Sequence, residues 1–196
     1  MGKLFCLLGK SGTGKDTLFR NIVNDPELGS ALSPVVPYTT RPKRENEICG
    51  VQYHFVTEAR MDELERRGEI IEKRQYDTVH GVWHYFTAAL EIPLQRDYVI
   101  ITTPHGVKKL AKKIGSDNMV IVHLKVDDRA RIERTMRREG KQQAPNYAEV
   151  RRRYSADEQD FAGVDFSGFT VFEIDTGRDK SDSLRAFKEM FSKHSS

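Results

Sequence analysis

Short apolar runs recur along the chain, and several are followed by stretches with helical spacing. Leu4-Phe5-Cys6-Leu7-Leu8 is the first run. A run this short, stopped by Gly9, reads as a buried strand. Thr17 to Val23 then pairs Leu18 with Ile22 and Phe19 with Val23, four residues apart, which predicts a helix. After residue 97 the rhythm is similar. Tyr98 to Thr102 reads as a buried strand, and Pro104 opens a helix carrying Val107, Leu110, Ala111 and Ile114. Met119 to Val126 is a further strand and Arg129 to Glu139 a helix rich in arginine. A polar stretch from Gly140 to Asn146 leads to a helix beginning near Tyr147. Phe169 to Ile174 is the last strand and Asp182 to Lys193 the last helix. Strands alternating with helices predict an α/β fold, a parallel sheet with helices on both faces.

The middle of the chain departs from this pattern. Asp25-Pro26 and the Gly29 to Pro37 region read as a punctuated connection holding a short strand at Val35-Val36. Tyr38 to Glu45 is polar and basic, so a loop is expected. Val51 to Val56 alternates, with Val51, Tyr53 and Phe55 on one face of a strand. Thr57 can cap a helix running to Arg67 with Met61 and Leu64 inward, and Gly68 ends it. Ile70 to Tyr76 and Val82 to Phe86 read as strands around His80-Gly81, and a helix is expected over Ala88 to Leu94, interrupted by Pro93. Strands with one helix, set between α/β elements, predict an inserted subdomain.

Composition narrows the class. A chain of 196 residues, 31% charged and 38% apolar, suits one soluble globular domain with a real core. A net charge of +3 is too small to imply nucleic-acid binding by itself. Cys6 in a strand and Cys49 in a loop suggest no disulfide framework, and hence a reducing, cytoplasmic setting. No apolar run approaches the ~18 residues of a membrane span. Met1-Gly2 resembles the start of a myristoylation signal, but position 6 is Cys rather than Ser or Thr. No Cys-x-x-Cys or His-Glu-x-x-His occurs, and His80 and His84 are expected to serve structure.

The chemistry concentrates at residues 9–17, Gly-Lys-Ser-Gly-Thr-Gly-Lys-Asp-Thr, between the first strand and the first helix. Gly9, Gly12 and Gly14 let the backbone curl so that its N–H groups, including those of Ser11 and Thr13, face a phosphate. The helix adds its positive dipole end, and Lys15 brings a compact charge to the β- and γ-phosphates. Spacing and context therefore predict an ATP-binding P-loop. The pattern calls for Ser or Thr after the lysine as a Mg²⁺ ligand, but Asp16 stands there with Thr17 next. Asp16 would repel a triphosphate unless Mg²⁺ lay between them. Asp16 and Thr17 are thus the candidate metal residues, and helix capping is the alternative for Asp16.

A second cluster supplies an acceptor site. Arg41 and Arg44, three apart, could fork onto one phosphate, and Tyr53 could add a hydroxyl. Glu72 could accept from the N1–H and amino group of guanine, which adenine cannot match. The bland alternative is a solvated basic loop and a surface glutamate. From Arg129 through Arg153, nine Lys/Arg stand against three Glu. Mobile arginines there could close over a transferring phosphoryl group, and a solvated basic face is the alternative. No interleaved aromatics favour RNA. Asp157, Glu158 and Asp160 read as a solvated helix face.

Residues 38–72, Tyr-Thr-Thr-Arg-Pro-Lys-Arg-Glu…Gly-Val-Gln-Tyr-His-Phe-Val-Thr…Gly-Glu-Ile-Ile-Glu, resemble the nucleoside-binding region of guanylate kinases. The P-loop stands at the matching distance before them. The resemblance implies a P-loop nucleoside monophosphate kinase. Its core would be residues 1–34, 88–128 and 155–196, its monophosphate-binding part 35–87 and its lid 129–154. It implies that Arg41, Arg44 and Tyr53 hold the GMP phosphate and Glu72 the guanine. Tyr85 would take the place of a phosphate-binding tyrosine. Arg137, Arg138 and Arg153 are similar to the family's lid arginines. MgATP and nucleotides would be its ligands, without nucleic acid or membrane, as a monomer or homodimer. Departures are Ile101 and Thr103 where the family carries acidic residues, and Pro37 in place of a serine. Thr103 is nonetheless an acceptor-site candidate. The alternatives are a small-molecule kinase similar to ribose 1,5-bisphosphate phosphokinase, which shares Gly-Lys-Asp, and a non-catalytic guanylate kinase-like binding domain.

Overall fold

The structure, a computed structural model, describes residues 2–43, 47–51, 53–78, 81–89, 92–142, 145–177 and 180–195. In chain order the elements are β1 (Leu4–Leu8), α1 (Lys15–Asn24), α2 (Pro26–Ala31), β2 (Leu32–Pro34), β3 (Tyr38–Thr39), β4 (His54–Phe55), α3 (Glu58–Arg66), β5 (Ile70–Thr78) and β6 (Gly81–Ala88). There follow β7 (Asp97–Ile101), α4 (Pro104–Ile114), β8 (Met119–Lys125), α5 (Asp128–Glu139), α6 (Tyr147–Phe161), β9 (Thr170–Asp175) and α7 (Lys180–His194).

A parallel five-stranded sheet, ordered β2-β7-β1-β8-β9, forms the centre. Its middle strand β1 is buried at every residue. Alternation sends Phe5 and Leu7 into one core with Leu18, Ile22, Phe187 and Met190, and Leu4, Cys6 and Leu8 into the other with Val107 and Leu110. Each large side chain fully buried this way contributes about 1.5–3 kcal/mol. Burial also pushes the Cys6 thiol pKa well up, so this cysteine serves packing. The α/β class expected from the pattern is the one observed, with helices on both faces.

A second sheet, ordered β4-β3-β6-β5, stands beside the first. β5 and β6 are antiparallel, with an irregularity between Ile70 and Glu72. Past it, Glu72 lies opposite Thr87, Arg74 opposite Tyr85, and Tyr76 opposite Trp83. Phe86 points the other way, into a small core with Met61 and Leu64 of α3.

Several local expectations are corrected. The connection after Asp25 contains α2: the Asp25 carboxylate caps it by accepting from Glu27 and Leu28 N–H, with Pro26 in its first turn. The short strand is Leu32–Pro34, and Val35 adds only one further hydrogen bond to Val99. Tyr38-Thr39, expected as loop, pairs with both β4 and β6. The strand expected over Val51 to Val56 shrinks to His54–Phe55, because a turn from Ile48 to Val51 occupies its start. No α-helix forms over the described part of 88–94, where Ala89 alone is in a 3₁₀ turn that Ile92 N–H closes at 3.1 Å. Ala88 ends β6, and Leu94 has a positive φ of 52°, incompatible with a right-handed turn.

Candidate active site

β1 delivers the chain to Gly9, and α1 begins at Lys15 with Gly14 as its N-cap in the left-handed region. Between them the loop folds back on itself. Thr13 Oγ1 donates to Lys10 O at 2.8 Å, and Lys15 Nζ donates to Gly9 O at 2.6 Å and Lys10 O at 3.1 Å. Burial lowers the Lys15 pKa, while the charges of Asp16 and Asp157 push it up. The loop is fixed from behind by Thr176, whose hydroxyl donates to Thr13 O at 2.7 Å.

Gly12 is required by contact as well as by conformation. Its φ is +84°, and a Cβ there would meet Arg131 O at 2.5 Å and Thr135 Oγ1 at 2.7 Å. Gly12→Ala is therefore expected to cost at least about 2 kcal/mol. A thermal melt checks this, and an unchanged midpoint would contradict so close an approach of α5 to the loop.

Asp16 is exposed in the first turn of α1, where a carboxylate suits the helix dipole. Its charge acts on Lys15 and also on Tyr53, so it lies near both the loop and the second sheet. Thr17 is half-buried one position on.

The second sheet gathers the acceptor candidates. Arg41, only 4% exposed, donates bidentately to Glu47 at 3.0 and 2.7 Å. Glu47, with Tyr85, raises the Arg41 pKa. The Arg41 guanidinium also lies 5.6 Å from the Tyr53 ring centroid and 5.4 Å from that of Phe55. Tyr53 meets Tyr85 edge-on at 5.5 Å, and Tyr85 meets Tyr76 likewise at 5.5 Å. Burial raises the Tyr53 pKa, so its hydroxyl stays protonated. Arg44 lies outside the described residues, as does His80.

Glu72 sits deeper, its side chain 10% exposed. Thr87 Oγ1 donates to its Oε1 at 3.4 Å, and Arg74 Nη2 donates to its Oε2 at 3.2 Å. Arg74 Nη2 also donates to Thr103 Oγ1. Thr103 in turn caps α4 by accepting from Gly106 N–H. The neighbouring Thr102 is 5% exposed, and its hydroxyl has no hydrogen-bond partner among the described residues.

Among the lid candidates, Arg137 and Arg138 are exposed in the last turn of α5. The charge of Arg138 acts on Lys15. Arg153 donates to Glu149 along its own helix at 2.8 Å. Glu149 also takes two bonds from Arg152, which with Arg153 pull its pKa down to about 2. Arg152 further lies 5.6 Å from the Tyr76 ring, linking α6 to the second sheet.

Asp157 and Glu158 are not a solvated face. Asp157 accepts from the Ser11 N–H of the loop at 2.7 Å, and Glu158 accepts from Lys10 Nζ at 2.8 and 2.7 Å. Between them lies Arg131, 2% exposed, bonded to Asp128 at 2.6 Å and Glu158 at 2.5 Å and lying over Tyr154 at 4.3 Å. The adjacent acidic pair on a helix was the only sequence signal for this contact. A separate concavity of about 350 Å³ between β9 and α7 is lined by Glu173, Asp175, Asp182 and Glu189 with Arg185, a charge balance that disfavours phosphate.

The guanylate kinase family model matches residues 1–174. A guanylate kinase of Bartonella henselae is 32% identical over 142 residues, 70% of this chain and 60% of that protein. One of Nostoc sp. is 41% identical over 76 residues, 38% of this chain and 36% of that protein. The aligned part thus spans less than two thirds of these relatives' own length. The crystal structure of guanylate kinase from Anaplasma phagocytophilum superposes with a TM-score of 0.60 at 19% identity, covering 99% of this chain and 86% of that one. At that identity the likeness concerns the fold.

Proposed function

The chain belongs to the guanylate kinase family, and from that premise we propose that it transfers the γ-phosphate of ATP, taken as MgATP, to GMP or dGMP, giving the nucleoside diphosphate and ADP. The chief support is electrostatic geometry. Asp16 acts on both Lys15 and Tyr53, so the glycine loop lies near the aromatic–arginine cluster, and we read the space between them as the substrate cleft.

In this reading residues 1–34, 88–128 and 155–196 are the core, 35–87 the monophosphate-binding part and 129–154 the lid. The loop from Gly9 to Thr17 takes the ATP phosphates, with Lys15 turning from the carbonyls of Gly9 and Lys10 to the β- and γ-oxygens. Arg41, Arg44, Tyr53 and Tyr85 take the acceptor phosphate, and Glu72, with Thr103 nearby, the base. Arg137, Arg138 and Arg153 add charge stabilisation as the γ-phosphoryl moves. The acceptor phosphate is already ionised, so positioning and charge neutralisation suffice without a side-chain base. The free thiols of Cys6 and Cys49 suit a cytoplasmic setting.

Oxygen donors at Asp16 and Thr17 fit a hard divalent cation, and the exposed Asp16 carboxylate at the cleft is open to one. Mg²⁺ bound there would neutralise charge on the triphosphate. Asp16→Asn is expected to raise the Mg²⁺ concentration for half-maximal rate and to lower kcat about tenfold. A Mg²⁺ titration of both proteins checks this, and superimposable curves would leave Asp16 only as a first-turn carboxylate favourable to the helix dipole.

The direct test is ADP release with MgATP and GMP, dGMP, AMP, UMP, CMP or ribose 1,5-bisphosphate. Turnover of GMP or dGMP alone is expected. Turnover of the sugar bisphosphate alone, or of nothing by folded protein, would reject the proposal.

A further inference from the structure

Arg74 lies two residues after Glu72 on β5, so both side chains leave the same face of the strand. Their heads meet at 3.2 Å. One terminal nitrogen of Arg74 is shared between the carboxylate and Thr103 Oγ1. Thr103 is itself fixed as the cap of α4. The Arg74 side chain is 28% exposed, against 10% for Glu72. The guanidinium also has the Tyr76 hydroxyl as a hydrogen-bond partner, and its five N–H groups still leave donors that can turn to a ligand.

The edge so formed has a defined polarity. Glu72 presents two acceptors in a row, and Arg74 presents a donor beside them. The Watson–Crick edge of guanine reads donor, donor, acceptor: the 2-amino group, N1–H and O6. Glu72 and Arg74 together thus offer the complement, in the same order that cytosine offers. The pair also sums to zero charge, so a neutral base can cover it without stranding a buried ion. Glu72 alone would not sense the group at position 6.

We propose that Arg74 is a specificity-determining residue of the acceptor pocket, donating to the 6-oxo group of a purine monophosphate while Glu72 accepts from N1–H and the 2-amino group. The inference rests on the guanine reading of the acceptor site. Adenine would meet this edge with a donor facing Arg74 and an acceptor facing Glu72. Both mismatches leave buried polar groups unpaired, the situation in which discrimination is largest.

The experiment pairs a change in the protein with a change at one atom of the substrate. kcat/KM is measured for GMP and for 6-thioguanosine monophosphate, which keeps N1–H and the 2-amino group but offers sulfur, a weak acceptor, at position 6. The parent, Arg74→Met and Arg74→Lys are compared, each with a thermal melt. The parent is expected to prefer GMP over the thio analogue by about ten- to hundredfold. Arg74→Met should lose most of that preference, and Arg74→Lys, which keeps a donor without the fork, should retain part of it. A residue that merely held Glu72 in place would lower both rates and leave their ratio unchanged, and an unchanged ratio in a folded Arg74→Met overturns the proposal. Should Arg74→Met fail to fold, Arg74→Lys decides by the same ratio. If the parent phosphorylates neither GMP nor dGMP, the guanine reading itself has failed. A parent that uses GMP with no preference over the thio analogue rejects the role of Arg74 alone.

Discussion

Lys15→Met should reduce kcat with MgATP and GMP by about 10²–10³-fold, the largest catalytic loss expected from any single substitution in this chain. The Lys15 ammonium is buried under the glycine loop and donates to two backbone carbonyls. A charge that burial disfavours is retained where the proposed reading puts the triphosphate. Loop N–H groups can still bind phosphate in the variant, so KM for ATP should change less than kcat. Methionine keeps the length and apolar stem of lysine, so the loop stays packed and the melting temperature should move little. Arginine is not a conservative replacement, because its planar fork is larger than the space that a compact ammonium fills. Steady-state kinetics at saturating MgATP, with a melt of each protein, check the prediction. Activity of Lys15→Met within fivefold of the parent would reject it, and with it any direct role for the lysine in phosphoryl transfer.

For stability, the largest expected effect lies at Arg131. Its guanidinium is almost wholly buried, bonded to Asp128 and Glu158, 3.6 Å from Asp157 and stacked on Tyr154. Its removal leaves the Asp157 carboxylate, whose side chain is 16% exposed, facing the Ser11 N–H with less positive charge nearby. Breaking one partner out of a buried ion cluster costs several kcal/mol. Because Asp128 and Glu158 reach solvent and Lys10 still pairs with Glu158, about 3 kcal/mol is the expected loss for Arg131→Met. That corresponds to a melting temperature lower by roughly 10 °C for a chain of this size. Arg131→Met combined with Glu158→Leu should recover part of the loss, since an apolar pair of similar volume needs no desolvated charge. A single variant melting within 2 °C of the parent would show that the cluster carries little stability.

What the sequence disclosed was what is encoded locally. The P-loop spans nine residues between a strand and a helix, and its glycines, lysine and flanking apolar runs could be read together. Helix α3 was legible for the same reason, with Thr57 accepting from Arg60 N–H at one end and Gly68 at φ +67° at the other. The contact of Ser11 with Asp157 joins residues 146 apart. No periodicity announces such a pairing, so the acidic pair on α6 looked like solvent-facing charge. Asp25-Pro26 looked like a break, although a capping aspartate followed by proline is also how a helix starts. The pairing of Arg74 with Glu72 follows from their spacing of two on a strand, which puts both on one face. The alternation from Val51 to Val56 is real, but an adjoining turn leaves only His54-Phe55 to pair.

The opposition of Trp83 and Tyr76 across β5 and β6 has an optical consequence. Trp83 is the chain's single tryptophan, and its cross-strand neighbour carries the Arg152 guanidinium of α6 on its ring. Indole fluorescence from this protein therefore has one origin, beside the point where α6 reaches the second sheet. Any ligand that draws these two parts together or apart changes the polarity around one emitter. Ligand titrations followed by indole emission can thus yield affinities and closing rates from the unlabelled chain.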